Sequence, residues 1–197
     1  MKADAAGYVL VGGRSSRFGA DKALASWRGR PLASHVAGQV ERAAGSVVLI
    51  GDPEKYSPLG FPAIADAAPG LGPLGGIATA LEHSTAPWNL VVACDMPHLS
   101  AAFLAFLLET AGARAADVLL PLDADSRDEP LCAVYSLASR ALIVEALRGG
   151  VRKVTHAFDG LRVERLARAG YAAFDPDGLL FANLNTAADA AALEVHG

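Results

Sequence analysis

Tyr8-Val9-Leu10-Val11-Gly12-Gly13-Arg14-Ser15-Ser16-Arg17-Phe18-Gly19-Ala20-Asp21-Lys22 is an apolar strand that breaks into a glycine turn and then gathers cations. Glycine lets the backbone turn tightly and approach a ligand with no Cβ in the way. Successive amide N–H groups in such a turn cradle anionic oxygens, and arginine adds a fork that matches phosphate geometry. Arg14, Arg17 and Lys22 therefore point to the phosphates of a nucleotide. The spacing is neither GxGxxG nor GxxxxGK[ST], because the glycines stand at 12, 13 and 19. A strand entering a phosphate turn predicts an open α/β sheet with its ligand at the carboxyl ends of the strands.

Working outward from this stretch, short aliphatic runs alternate with helical patterns. Strands are predicted at 8–11, 47–50, 63–65, 90–94, 118–121 and 131–135. Most are continuously apolar, as expected of strands covered on both faces. Helices are predicted over 34–44, 74–83, 101–110, with Ser100 as N-cap, and 138–147, stopped by Gly149-Gly150. A last helix is expected from Thr186 to Leu193. The pattern predicts one α/β domain over 1–197 with a mainly parallel central sheet flanked by helices.

Composition narrows the function. The chain has 197 residues, 52% hydrophobic and 19% charged, with a net charge of −4. An acidic chain with only a local cationic cluster is a poor candidate for nucleic acid. No apolar run reaches the ~18 residues of a membrane span, and the N-terminal stretch has no apolar leader pattern. Cys94 and Cys132 lie in apolar runs outside any CxxC pair, which predicts buried thiols and a cytoplasmic protein.

Other stretches carry candidate chemistry. Cys94-Asp95-Met96-Pro97 places a carboxylate after an apolar strand, where it either holds a metal beside a triphosphate or caps a turn. Gly70 to Gly76 holds four glycines, which allow either a flat ligand or tight helix–sheet packing. Asp66 can accept from a guanine edge or ribose hydroxyls, or simply close a turn. Asn183 and Asn185 fall on one side of an extended piece, to read a ligand or to cap a helix. The histidines are scattered without zinc spacing, although His98 stands near Asp95. Asp123, Asp125, Asp128 and Glu129 read as a solvated hairpin tip.

These motifs, in order, resemble the molybdenum cofactor guanylyltransferases of the nucleotidyltransferase superfamily. The opening motif LAGGxSxRMGxDK corresponds to Leu10–Lys22, GxPL to Gly29-Arg30-Pro31-Leu32, and GPLxG to Gly72-Pro73-Leu74-Gly75-Gly76. CDxP corresponds to Cys94–Pro97, PLxAxY to Pro130–Tyr135, and NxNTPED to Asn183–Asp189. The resemblance implies a three-layer Rossmann-like nucleotidyltransferase fold. It also implies an enzyme that joins GMP from GTP to the terminal phosphate of molybdenum-molybdopterin, with Mg2+ as cofactor and pyrophosphate as the leaving product. It assigns nucleotide binding to Leu10, Val11, Gly12, Gly13, Lys22, Asp66 and Asp95, and the metal to Asp95. Catalytic roles fall to Arg17, Lys22 and Asp95, and pterin binding to Arg152, Asn183 and Asn185. Transient contacts with other cofactor-biosynthesis or acceptor proteins follow from the same resemblance. Val11 and Phe18 replace alanine and methionine of the motif, and Leu49-Ile50-Gly51-Asp52 lacks the asparagine the family often carries there. One base or ribose contact thus has no counterpart. A cytidylyltransferase for the same pterin, a sugar-phosphate nucleotidyltransferase and a non-catalytic nucleotide-binding module are the alternatives.

Overall fold

The computed structural model describes residues 4–12, 21–114 and 116–184. In chain order the elements are β1 (Ala5–Leu10), the short strands β2 (Ser26–Trp27) and β3 (Arg30–Pro31), α1 (Leu32–Ala44), β4 (Val47–Ile50), α2 (Pro53–Tyr56) and β5 (Ala63–Ile64). Then follow α3 (Pro73–His83), β6 (Trp88–Ala93), α4 (Ala101–Ala113), β7 (Val118–Pro121), β8 (Cys132–Ser136), α5 (Arg140–Arg148) and β9 (Val163–Leu166). Seven strands form one sheet in the order β5-β4-β1-β6-β8-β7-β9. All run parallel except β8, which is antiparallel to both neighbours.

The two faces of β1 explain its unbroken apolar run. Val9 and Val11 pack with α1 and α4, against Val36, Val40, Leu104 and Leu107. Tyr8 and Leu10 pack on the other face with Leu74, Ile77 and Leu81 of α3 and Ile143 and Leu147 of α5. Helices on both faces of a mostly parallel sheet give the three layers expected from the sequence. Ser100 caps α4 as predicted, its Oγ accepting the Phe103 N–H at 3.2 Å.

The β2–β3 hairpin, the short α2 and β9 were not visible in the sequence pattern. β9 reads Val-Glu-Arg-Leu, and its charges face solvent at the sheet edge: Glu164 pairs with Arg114, and Arg165 with Asp128 at 2.7 Å. Adjacent in the strand, the two charges stand on opposite faces, so this edge strand lacks the apolar continuity of a central one, and its charges discourage edge-to-edge pairing. The β2–β3 hairpin turns through Arg28 and Gly29, both with positive φ (49° and 76°), as a two-residue hairpin turn requires. The helix expected at 186–193 lies outside the described residues.

Register sets where ligands can gather. Leu10 of β1 is flanked by Ile50 and Ala93 at the carboxyl ends of β4 and β6. Pairing continues one step further, with Val11 N–H donating to Ile50 O (3.1 Å) and Cys94 N–H to Leu10 O (3.2 Å). The antiparallel β8 enters at this same edge, where Ala93 N–H donates to Leu131 O at 2.8 Å. The β7–β8 hairpin tip therefore stands on the ligand side of the sheet.

Close packing of α1 on β1 rests on Gly7. A Cβ there would lie 2.4 Å from Val40 Cγ1 and 2.6 Å from the Ser46 carbonyl oxygen, a backbone atom that cannot yield cheaply. Gly7→Ala is expected to cost about 1–3 kcal/mol as overpacking. Thermal unfolding should report it as a Tm several degrees lower, and an unchanged Tm would mean that α1 is free to shift outward.

Candidate active site

Three segments converge at the carboxyl edge. Beyond β1 the chain reaches Gly12, which is exposed and lies against Gly51 after β4. Lys22 opens a short 3-10 turn (Lys22–Leu24) that is capped by Asp21 and held inward by the fully buried Ala23. Asp95 follows β6. Lys22 Nζ donates to Asp95 Oδ2 at 3.2 Å, with side-chain exposures of 19% and 25%. Both groups are thus held, and both still reach solvent.

Leu10 and Val11 are buried, so what they can offer a ligand is backbone, while their side chains build the core. Arg17 and Gly13 lie outside the described residues, as does Asn185. Asp66 stands after β5 on the α3 side. Its Oδ1 accepts from Ala68 N–H (2.9 Å) and Thr79 Oγ1 (3.0 Å), and Oδ2 has no partner among the described residues. The carboxylate is oriented by one oxygen and presents the other. Asn183 is exposed, and the next residue, Leu184, donates its N–H to the Asp95 carbonyl at 2.9 Å, so Asn183 lies beside the Asp95 turn. Arg152 is placed differently. Its guanidinium donates to the carbonyls of Leu147 (3.1 Å) and Val151 (2.8 Å) and closes the carboxyl end of α5.

The Gly70–Gly76 run resolves into turn and packing requirements. Gly70 and Gly72 have φ of 79° and 77°. A Cβ on Gly75 would meet the Ala68 carbonyl oxygen at 2.8 Å, and one on Gly76 would meet Leu10 Cδ2 at 2.8 Å. Tight seating of α3 on β1 accounts for both helical glycines.

Two features were missed in the sequence. Asp21 is the hub of an anchor: its Oδ2 accepts from Tyr56 Oη at 2.6 Å and faces Lys55 Nζ at 2.5 Å, and its Oδ1 accepts the Ala23 N–H at 3.0 Å. Burial alone would raise the Asp21 carboxyl, but the bonds from Lys55, Tyr56 and Ala23 outweigh it and hold it below the usual range. The aspartate before Lys22 was the only local signal, since its side-chain partners Lys55 and Tyr56 lie more than thirty residues away. The second feature is Glu129, expected on a solvated tip. Asp125 and Arg127 do lie exposed there, but Glu129 is half-buried, and burial, followed by Asp123 and Asp95, pushes it up to about 7. The antiparallel entry of β8, absent from the sequence pattern, brings it toward Asp95.

Nearby groups are poor nucleophiles. Burial first, then Asp95 and Asp21, push the Cys94 thiol up to about 12, so it stays protonated. His98 packs edge-on against Trp27 (5.5 Å between centroids), and burial lowers it. Among the described residues the edge offers one ammonium, Lys22, and one carboxylate, Asp95, both within reach of solvent.

Sheet order and the Lys22–Asp95 pair at the carboxyl edge fit an α/β nucleotidyltransferase. Residues 7–163 match the MobA-like NTP transferase domain, and the chain belongs to that family. The molybdenum cofactor guanylyltransferase of Cupriavidus necator is 33% identical over 191 residues, covering 93% of this chain and 92% of that protein. The molybdenum cofactor guanylyltransferase of Xanthomonas euvesicatoria is 41% identical over 151 residues, covering 72% and 77%. Among solved structures, molybdopterin-guanine dinucleotide biosynthesis protein A of Archaeoglobus fulgidus superposes with a TM-score of 0.84 at 26% identity, covering 97% of each chain.

Glu129 generates a pH prediction. Its folded value, about 7 against an ordinary 4.5, means that the folded chain holds this proton more tightly than the unfolded one. Its contribution to stability is therefore complete below the unfolded value and is lost as pH rises through the folded one. Glu129→Gln should match the parent near pH 4 and melt about 2–4 °C higher at pH 8, a gain of ~1 kcal/mol after discounting for partial exposure. Equal melting at pH 8 would contradict the destabilised carboxylate.

Proposed function

We propose that this chain transfers the GMP unit of GTP to the terminal phosphate of molybdenum-molybdopterin and releases pyrophosphate. The observation that carries the reading is the Lys22–Asp95 pair at 3.2 Å, set at the carboxyl edge beside the turn at Gly12. The guanylyltransferase relatives supply the substrate class, and the chemistry of the site agrees with it.

Transfer needs an oxygen of the pterin phosphate to attack the α-phosphorus of GTP in line. One P–O bond forms, and the bond from the α-phosphorus to the α–β bridging oxygen breaks, with its electron pair leaving on pyrophosphate. The attacking phosphate is already ionised near pH 7, so no general base is needed. Two anions must meet, and placement and charge neutralisation lower the barrier. Lys22 is assigned to the charge that builds on the leaving pyrophosphate. Backbone amides at Gly12 and Gly13 and the guanidinium of Arg17 are assigned the remaining phosphate contacts.

The edge suits Mg2+ in the way nucleotide sites usually hold it. Among the described residues no cluster of three acidic, histidine or cysteine side chains forms a protein-only metal cage. One carboxylate, Asp95, is exposed enough to share an ion with substrate phosphates, the arrangement magnesium favours. When bound, the ion would supply charge neutralisation on the phosphate oxygens. Asp66 Oδ2 is assigned to the guanosine, by base edge or ribose. Asn183, beside the Asp95 turn, is assigned to the pterin side together with Asn185 and Arg152, and Arg152 would have to release the α5 carbonyls to reach it. No helix among the described residues is long and apolar enough to cross a membrane. Two free buried thiols support the cytoplasm as the site of action. Other proteins of cofactor synthesis would meet the chain only transiently.

Pyrophosphate release from GTP, Mg2+ and molybdenum-loaded molybdopterin tests the reading. Lys22→Ala should lower turnover on the order of 10²-fold, the scale for loss of one preorganised charge stabiliser, with the melting temperature little changed. Asp95→Asn should shift the magnesium titration to higher concentration. Full turnover in the first variant, an unmoved titration in the second, or preference for CTP over GTP would each overturn its part of the assignment.

A further inference from the structure

The geometry points to Asp21 as a positioning residue, clamped by Tyr56 and Lys55 of α2 so that Lys22 meets Asp95; the idea rests on the transfer reading above. The glycine-rich segment leaves the sheet at Gly12 and the chain is described again at Asp21, and both points abut one short element, Gly51 to Tyr56. At the departure, Val11 N–H donates to Ile50 O at 3.1 Å, and Gly12 lies against Gly51. At the return, Tyr56 Oη donates to Asp21 Oδ2 at 2.6 Å and Lys55 Nζ stands 2.5 Å away.

The clamp is itself rigid. Tyr56 is buried, with its ring seated where a side chain on Gly51 would be. A Cβ there would lie 2.8 Å from the Tyr56 ring and 2.8 Å from Val11 Cγ2. Asp52 caps α2 by accepting the Glu54 N–H at 3.0 Å. Where the family often carries an asparagine, this chain has Gly51 and Asp52, and both are occupied in building the clamp. On the other side, Asp21 Oδ1 holds the Ala23 N–H, and the carbonyl of Asp21 accepts from Leu24 at 3.1 Å. One aspartate thus ties a buried tyrosine to the turn from which Lys22 extends. Burial of Ala23 alone fixes the height of that turn over the core; the carboxylate fixes its rotation, and rotation aims Nζ at Asp95.

A double-mutant cycle tests this. Asp21→Asn should lower kcat for pyrophosphate release by roughly 10- to 10²-fold, the effect of about 1 Å of misplacement, with a smaller change in the KM for GTP. In a Lys22→Ala background the same change should cost less than about 3-fold, because the residue it positions is gone. Tyr56→Phe keeps the ring packing and should show a weaker version of both results. A second readout needs no substrate and stands even if the transfer reading fails. With lysines carrying ¹³C-methyl groups, the Lys22 resonance of Asp21→Asn should move to where Asp95→Asn places it, the melting temperature confirming a folded chain. Equal losses in the two backgrounds, or a Lys22 resonance unmoved by Asp21→Asn, would overturn the proposal.

Discussion

Lys22 and Asp95 are 73 residues apart in the chain and 3.2 Å apart in space, and everything the site can do depends on that meeting. It is not a source of stability. Both side chains keep partial access to water, and pairs of this kind contribute about 0–1 kcal/mol. Its value lies in where it is held. β1 pairs with β4 on one side and β6 on the other, so the residues following Leu10 and Ala93 emerge side by side. Gly7 lets α1 settle on β1, Gly76 lets α3 settle on its other face, and the edge between them stays open. A cation and an anion placed there by separate segments can exchange each other for charged groups of a substrate with little rearrangement.

The single antiparallel strand changes the electrostatics of that edge. Had β8 run parallel, its connection to β7 would have crossed a face of the sheet. As a hairpin, it delivers Asp123 and Glu129 to the side where Asp95 stands. Asp123 and Asp95 both act on Glu129, while Asp95 and Asp21 are faced by Lys22 and Lys55. An edge with that excess of carboxylates would repel a triphosphate unless cations came with it. That balance supports both the divalent ion proposed for Asp95 and the role of the arginines in the glycine-rich segment. It also explains why Glu129 retains its proton to near neutrality while Asp21, with three donors on it, does not.

Legibility in the sequence followed physical environment. Strands covered on both faces, such as Val47–Ile50 and Val118–Pro121, announced themselves as apolar runs and were placed to the residue. β9 was hidden because its charges are paired across a wet edge, so its pattern reads as loop. The Lys22–Asp95 partnership was legible as two motifs, since each follows a strand end in an α/β alternation. The Asp21 anchor was not, because a carboxylate's partner on α2 is chosen by the sheet and not by spacing. Glu129 looked like its exposed neighbours Asp125 and Arg127, and only the register of β8 separates them.

The same reasoning explains why the chemistry falls to placement. Cys94 is one residue from Asp95 and would be the obvious nucleophile by position, yet the carboxylates around it and its burial keep the sulfur protonated. Among the described residues no histidine hydrogen-bonds to it: His98 is packed on Trp27, and His35 Nε2 is hydrogen-bonded to the Pro97 carbonyl at 2.9 Å. A reaction between two phosphates that are already ionised asks for none of these groups. It asks that one ammonium and one carboxylate stay where the sheet puts them, and the buried contacts around Gly7, Gly51 and Tyr56 impose that constraint.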